Sequence, residues 1–214
     1  MRITFTSAEE YELSGFHFGD FDEREFVVFD LEATGPDAEQ DSVTQFGTVR
    51  VGDEEQTFEG LVKPWKSIPE KIEKLTGVTN QRVTEAESFA VVFERFRKFC
   101  GDAVLVTSCG YEYDFPLLEK ECARSGLKKL PNERLDTKAI FAMLHPDRGE
   151  TFSTNFLSEY YQIDRRVFNR HDALGDAKLV ARIFYAELKE AKAMGMNSLE
   201  AEGVRIKRFL LSSL

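Results

Sequence analysis

The chain has 214 residues, 28 Lys and Arg, 38 Asp and Glu, and a formal net charge of −10. That length suits one domain, alone or with appendages, and 31% charged residues with 42% hydrophobic ones argue against wholesale disorder. The charge speaks first against a general nucleic-acid coat, which would be basic, but residues 1–60 hold three arginines against 16 acids while the remainder is slightly basic.

The N-terminus, MRITFTSAEEYE, lacks the apolar stretch of a signal peptide. No run of about 18 apolar residues predicts a membrane span. Cys100, Cys109 and Cys122 are odd in number and form no C-x-x-C pair, so neither a disulfide framework nor a zinc knuckle is expected. Together these predict a soluble, cytoplasmic protein.

Residues 1–25 read as an acidic N-terminal extension. The run FVVFDL (26–31) predicts a buried strand. VTQFGTVRV (43–51) and QTFEGLVKP (56–64) alternate, and with the first run they predict an antiparallel meander. Pro69 opens a short helix that Gly77 stops. From Glu85 to Cys100 the period becomes helical, with Phe89, Phe93 and Phe96 on one side and Glu94, Arg95 and Lys98 on the other. AVLVT (103–107) predicts a second buried strand. Helices are expected over 114–125, 137–144, 153–161 and 172–193. The core domain is then 26–192, with 193–214 a tail or helix. VRIKRFLLSSL, at the end, is a docking or dimer helix or the last core element. The order predicts an α/β fold, a mixed sheet flanked by helices.

Asp30 and Glu32 close the first buried strand. D-x-E spacing puts both side chains on one face, about 7 Å apart along the strand. Two carboxylates held on rigid backbone repel unless a cation sits between them. Asp114 follows the second buried strand, and Asp176 lies on the inner side of a helix, a costly place for an unpaired charge. His171 precedes it by five residues. The four acids are hard oxygen ligands suited to Mg²⁺ or Mn²⁺. Two such ions, about 3.5–4 Å apart, would neutralise the cluster and clamp the oxygens of a phosphoryl displacement. An imidazole titrates near neutral pH and can take a proton from an attacking water.

FDLEATG, GYEYDFPLL and HDALGDA resemble the three motifs of the DEDDh 3′–5′ exonucleases, in the DnaQ-like branch of the ribonuclease-H-like fold. KLTGVTN, LDTKAIFAML and FLSEYYQI are similar to lesser family segments, so the resemblance spans about residues 26–190. It implies a ribonuclease-H-like mixed sheet, metal ligation by Asp30, Glu32, Asp114 and Asp176, and His171 as general base. It implies release of 5′-mononucleotides from a 3′ end, with the backbone around Leu31, Ala33 and Thr34 holding the terminal nucleotide. Where many members have a His-Asn pair before the second-motif Asp, this chain has Thr107-Ser108-Cys109-Gly110, closer to a branch of RNA exonucleases.

A 3′ end is gripped by stacking and phosphate contacts. Phe115, Trp65, Tyr111 and Tyr113 are the stacking candidates. Arg165, Arg166 and Arg170 are phosphate-guiding candidates, and Lys120, Arg124, Lys128 and Lys129 form a second basic group. The expected substrates are single-stranded DNA or RNA 3′ ends, and the expected partners a polymerase or a second copy of the chain. The readings to compare are a free-standing exonuclease, a polymerase-associated proofreading subunit and a non-catalytic nucleic-acid-binding module.

Overall fold

A computed structural model describes residues 1–52 and 56–208. Three short strands come first: β1 (Arg2–Phe5), β2 (Glu10–Ser14) and β3 (Phe16–Gly19). Next come β4 (Phe26–Ala33), β5 (Val43–Val51) and β6 (Gln56–Leu61), an antiparallel meander of the expected form. Helices α1 (Glu70–Thr76), α2 (Asn80–Val83) and α3 (Phe89–Cys100) lead to strand β7 (Val104–Thr107). Helix α4 (Asp114–Arg124), strand β8 (Arg134–Asp136) and helices α5 (Thr137–Leu144), α6 (Thr154–Tyr160) and α7 (Ala173–Ala193) follow. Two last strands, β9 (Ser198–Ala201) and β10 (Val204–Lys207), close the described chain.

The central sheet has the order β6-β5-β4-β7-β8, with β7 parallel to both β4 and β8. It is the expected ribonuclease-H-like mixed sheet. Strand β4 is covered on both faces, and its alternation decides what each face meets. Phe29 points to α3 and α4, where its ring meets Phe96 at 5.5 Å and Phe115 at 5.6 Å. Phe26, of opposite parity, meets Phe184 of α7 at 4.9 Å. Asp30 and Glu32 share the parity of Phe26 and therefore face α7.

The helix comes in close because one residue has no side chain. Gly47 stands opposite Asp30 in the ladder. A Cβ there would lie 2.0 Å from the Ala173 carbonyl carbon. Gly175 does the same on the other side, where a Cβ would meet the Asn169 carbonyl oxygen at 1.9 Å. Gln45, opposite Glu32, donates to Asp172 at 3.0 Å and to Glu59 at 3.1 Å. Asp172 in turn caps α7 by accepting from the Gly175 amide at 3.1 Å.

The two ends of the chain correct the expected layout. The acidic extension folds onto the rest of the chain, because β2 pairs with β10 and β3 with β9. Tyr11, Leu13, Phe16 and Phe18 are buried in the main core. Residues 204–207 form a strand rather than a helix: Val204 and Ile206 alternate with Arg205 and Lys207, a period of two. Phe209, Leu210 and Leu211, part of the proposed docking helix, lie outside the described residues. Arg208 reaches Glu112 at 3.7 Å, and Glu112 also pairs with the fully buried Lys138. The end strands are thereby tied to the segment that leads into Asp114.

Two outcomes follow from this packing. Overpacking at a close approach costs about 1–3 kcal/mol, so Gly47→Ala is expected to lower the denaturation midpoint by at least that equivalent. A wild-type midpoint would show that α7 can move away freely. Glu187 of α7 is fully buried, and neither carboxylate oxygen has a hydrogen-bond partner among the described residues. Burial, then Asp136 and Glu190, push its carboxyl well above the usual range. A raised carboxyl costs stability as pH climbs past the unfolded value of about 4.3, because only the unfolded chain then ionises readily. Glu187→Leu is expected to raise the melting temperature by several degrees at pH 8 and by less at pH 5. Burying an unpaired polar group costs about 1–3 kcal/mol, and each kcal/mol moves a chain of this size by about 2–4 °C. A lower melting temperature at both pH values would show that the carboxyl holds the helix in place.

Candidate active site

Asp30 and Glu32 stand on the last turn of pleat in β4, and Asp176 in the first turn of α7. One carboxylate oxygen from each lies within 4.8 Å of the others. Asp114, the first residue of α4, is buried beside them, and its Oδ2 accepts from the Thr107 hydroxyl at 3.0 Å. The parallel pairing of β4 with β7 brings the ends of both strands, and hence both motifs, to one edge of the sheet.

Like charges at this density perturb one another. Burial, then repulsion from Asp176 and Asp114, pushes Glu32 up to about 8. The same causes raise Asp30 well above the usual carboxylate range. Asp114 is pushed up to about 7, chiefly by burial, with the Thr107 hydrogen bond opposing. Asp176 is raised by burial and held back by Arg170. The Arg170 guanidinium sits 2.6 Å from Asp176 Oδ1 and is the positive group that lowers all three clustered acids. A set of hard oxygen donors this close, raised by burial and by mutual repulsion, fits a divalent cation.

His171 lies at the exposed rim with φ of 60°, the left-handed region. Its amide donates to Asp176 Oδ2 at 3.0 Å, so the turn that carries the imidazole is anchored on a clustered acid. The Leu31 amide hydrogen-bonds Asp114. Leu31, Ala33 and Thr34 are all buried. The Thr34 amide donates to Ser42 O at 2.9 Å, and its hydroxyl donates to Asp41 at 2.7 Å.

Several residues expected to touch substrate are buried or already have partners within the protein. Phe115 is 3% exposed and packed between Phe29 and Tyr111, with the Arg134 guanidinium 4.9 Å from its ring centre. One residue along a helix turns the side chain by about 100°, so beside an inward Asp114 this ring joins the core and is no surface stacking platform. Tyr111 is buried, and the Tyr113 hydroxyl donates to Gly35 O at 2.5 Å. Arg165 pairs with Glu159 at 2.9 Å and Arg166 with Asp164 at 2.9 Å. The three arginines are therefore not a free basic stretch: each already has an acidic partner, and Arg170 is the one directed to the carboxylates.

Gln45, Gly47, Thr107 and Asp172 escaped the sequence reading. A glycine inside an alternating strand is a mark of close approach, and Gly47 carried that mark. Asp172 had the form of a helix N-cap. Gln45 had no signal, since its partner Asp172 is remote in sequence; Thr107 lies only seven residues before Asp114, but no pattern marks its hydroxyl as that acid's donor.

A family profile described as "Exonuclease" (RNase T) matches residues 27–184. The DNA polymerase III subunit epsilon of Aquifex aeolicus is 35% identical over 167 residues, 77% of this chain and 81% of that protein. The PolC-type DNA polymerase III of Lacticaseibacillus paracasei is 31% identical over 185 residues, 85% of this chain. The chain spans only 12% of the length of that PolC relative. Among solved structures, the nuclease domain of 3′hExo, a DEDDh family member bound to rAMP, shares the fold with a TM-score of 0.68 at 20% identity, over 83% of this chain and 95% of that one. The profile covers the strands and helices that carry every acid of the cluster, and the protein belongs to the RNase T exonuclease family.

Proposed function

We propose that this chain removes nucleotides one at a time from the 3′ end of single-stranded DNA or RNA, releasing 5′-mononucleotides. The observation that carries the reading is the approach of Asp30, Glu32 and Asp176 within 4.8 Å at a sheet edge, in an exonuclease family member. Asp30, Glu32, Asp114 and Asp176 would hold two divalent ions, Mg²⁺ or Mn²⁺. When bound, these supply Lewis-acid stabilisation of the attacking and leaving oxygens. His171, at the rim and tethered to Asp176, takes the proton of the attacking water at a ring nitrogen. The backbone around Leu31, Ala33 and Thr34 holds the terminal nucleotide against the cluster. Arg170, 2.6 Å from Asp176, offsets part of the acids' repulsion and would meet a phosphate oxygen of the strand.

A second reading, a proofreading subunit working with a polymerase, is favoured by the similarity to the epsilon subunit. An isolated chain that is monomeric and fully active supports free-standing action. Strong stimulation by a polymerase supports the subunit reading. The third alternative, a non-catalytic binding module, gains nothing from the site, because His171 and all four acids are in place.

The direct test uses 5′-labelled single-stranded DNA and RNA with Mg²⁺ or Mn²⁺. Stepwise shortening from the 3′ end that chelator abolishes is expected. His171→Ala should slow it by about 100-fold or more while metal binding persists. Intact strands of both kinds in both metals would reject the reading.

Asp30→Asn tests the ligand role without turnover. Removing one of the repelling carboxylates should raise the melting temperature in chelator. The same change should abolish the further rise that wild-type protein gains from added Mn²⁺. A variant that keeps the full Mn²⁺ gain would remove Asp30 from the ligand set.

A further inference from the structure

Trp65 is the sole tryptophan of the chain and is 54% exposed. It follows β6 at the same end of the sheet as the carboxylates, because β5 runs back between β6 and β4. Its amide donates to Ser42 Oγ at 3.4 Å, and the Ser42 amide donates to Thr34 Oγ1 at 3.0 Å. Thr34 stands two residues beyond Glu32. The backbone at Trp65 is thereby tied to the strand end that carries the acids, and its ring packs on the far end of the helix that Asp114 opens.

The ring is also held in place, which exposed tryptophans do not require. The Arg124 guanidinium lies 4.3 Å from its centre, and Lys66 Nζ lies 5.7 Å away. Arg124 pairs with Glu121 at 2.7 Å, and Glu121 is 3% exposed. The side chains of Trp65 and Ser42 hydrogen-bond that same carboxylate. Lys66 pairs with Asp41 at 2.7 Å, the acid that also accepts from the Thr34 hydroxyl. A buried acid thus fixes an indole at the surface, backed by a cation and open to solvent.

An indole fixed before binding loses little side-chain freedom when a flat partner stacks on it. We propose that Trp65 is a stacking site for a base of the single strand upstream of its 3′-terminal nucleotide, with Glu121 and Arg124 as its positioning residues. The site rests on the exonuclease reading for its substrate. It accepts any base, since every base has a π face. The nearby cations are already paired, so the contact is stacking rather than phosphate capture.

Because Trp65 is the sole tryptophan, intrinsic fluorescence reports on this site alone. The wild-type chain is titrated, with Mg²⁺ present, with a phosphorothioate oligothymidylate that resists hydrolysis. Quenching is expected over the concentrations at which that strand inhibits shortening of an ordinary one, while thymidine 5′-monophosphate leaves the signal unchanged. Trp65→Ala should raise KM for a long strand by about tenfold with kcat within about twofold. Trp65→Phe should recover most of that loss, and Glu121→Ala should raise KM in the same sense. Inhibition without quenching, or a wild-type KM in Trp65→Ala, overturns the proposal. That result is also the one expected if this ring docks a protein partner. Shortening without quenching rejects this site and keeps the exonuclease; quenching without shortening rejects the exonuclease and keeps the site.

Discussion

The fold is organised around a repulsion. Asp30, Glu32 and Asp176 are brought within 4.8 Å of one another, and Asp114 adds its charge from the side. Left alone, such a group would push strand and helix apart. It persists because the rest of the domain leaves it nowhere to relax. Phe29 and Phe26 anchor β4 on both faces, and Leu179, Val180, Ile183 and Phe184 anchor α7. Arg170 supplies partial compensation from within the site.

The absent side chain at Gly47 sets how closely the cluster closes. It stands beside Asp30 in the ladder and admits the backbone of Ala173 to the sheet surface. Gln45 then bridges the same strand to the cap residue Asp172. One strand position thus controls the separation between a strand-borne acid and a helix-borne one. The same contact keeps the carboxyls poorly hydrated, which is why burial heads the causes that raise each of them.

What could be read in the sequence was local. The D-x-E pair shares one face, as a period of two requires, and the hydrophobic runs mark β4, β5, β7 and α3. What was missed depended on where side chains turn and what they meet, near or far along the chain. Phe115 looked available beside Asp114, yet helix geometry turns it into the core. Arg165 and Arg166 read as a run of bare cations, whereas each has an exposed acidic partner, Glu159 and Asp164. The acids of residues 1–25 masked the alternation of Tyr11 with Leu13 and Phe16 with Phe18, so two strands read as an appendage. Their partners, β9 and β10, lie almost the whole chain away.

That distant pairing has a bearing on the order of assembly. Contacts between residues near 12 and near 206 close the longest loop the described chain offers, and loop closure is paid for in entropy before it is rewarded. During synthesis the central sheet, the helices and the acidic cluster can all form while β2 and β3 still lack their neighbours. The tie from Arg208 to Glu112, in the segment before Asp114, forms only after residue 208 has been added. A nascent chain would therefore gather its reactive groups first and lock their supporting loop last.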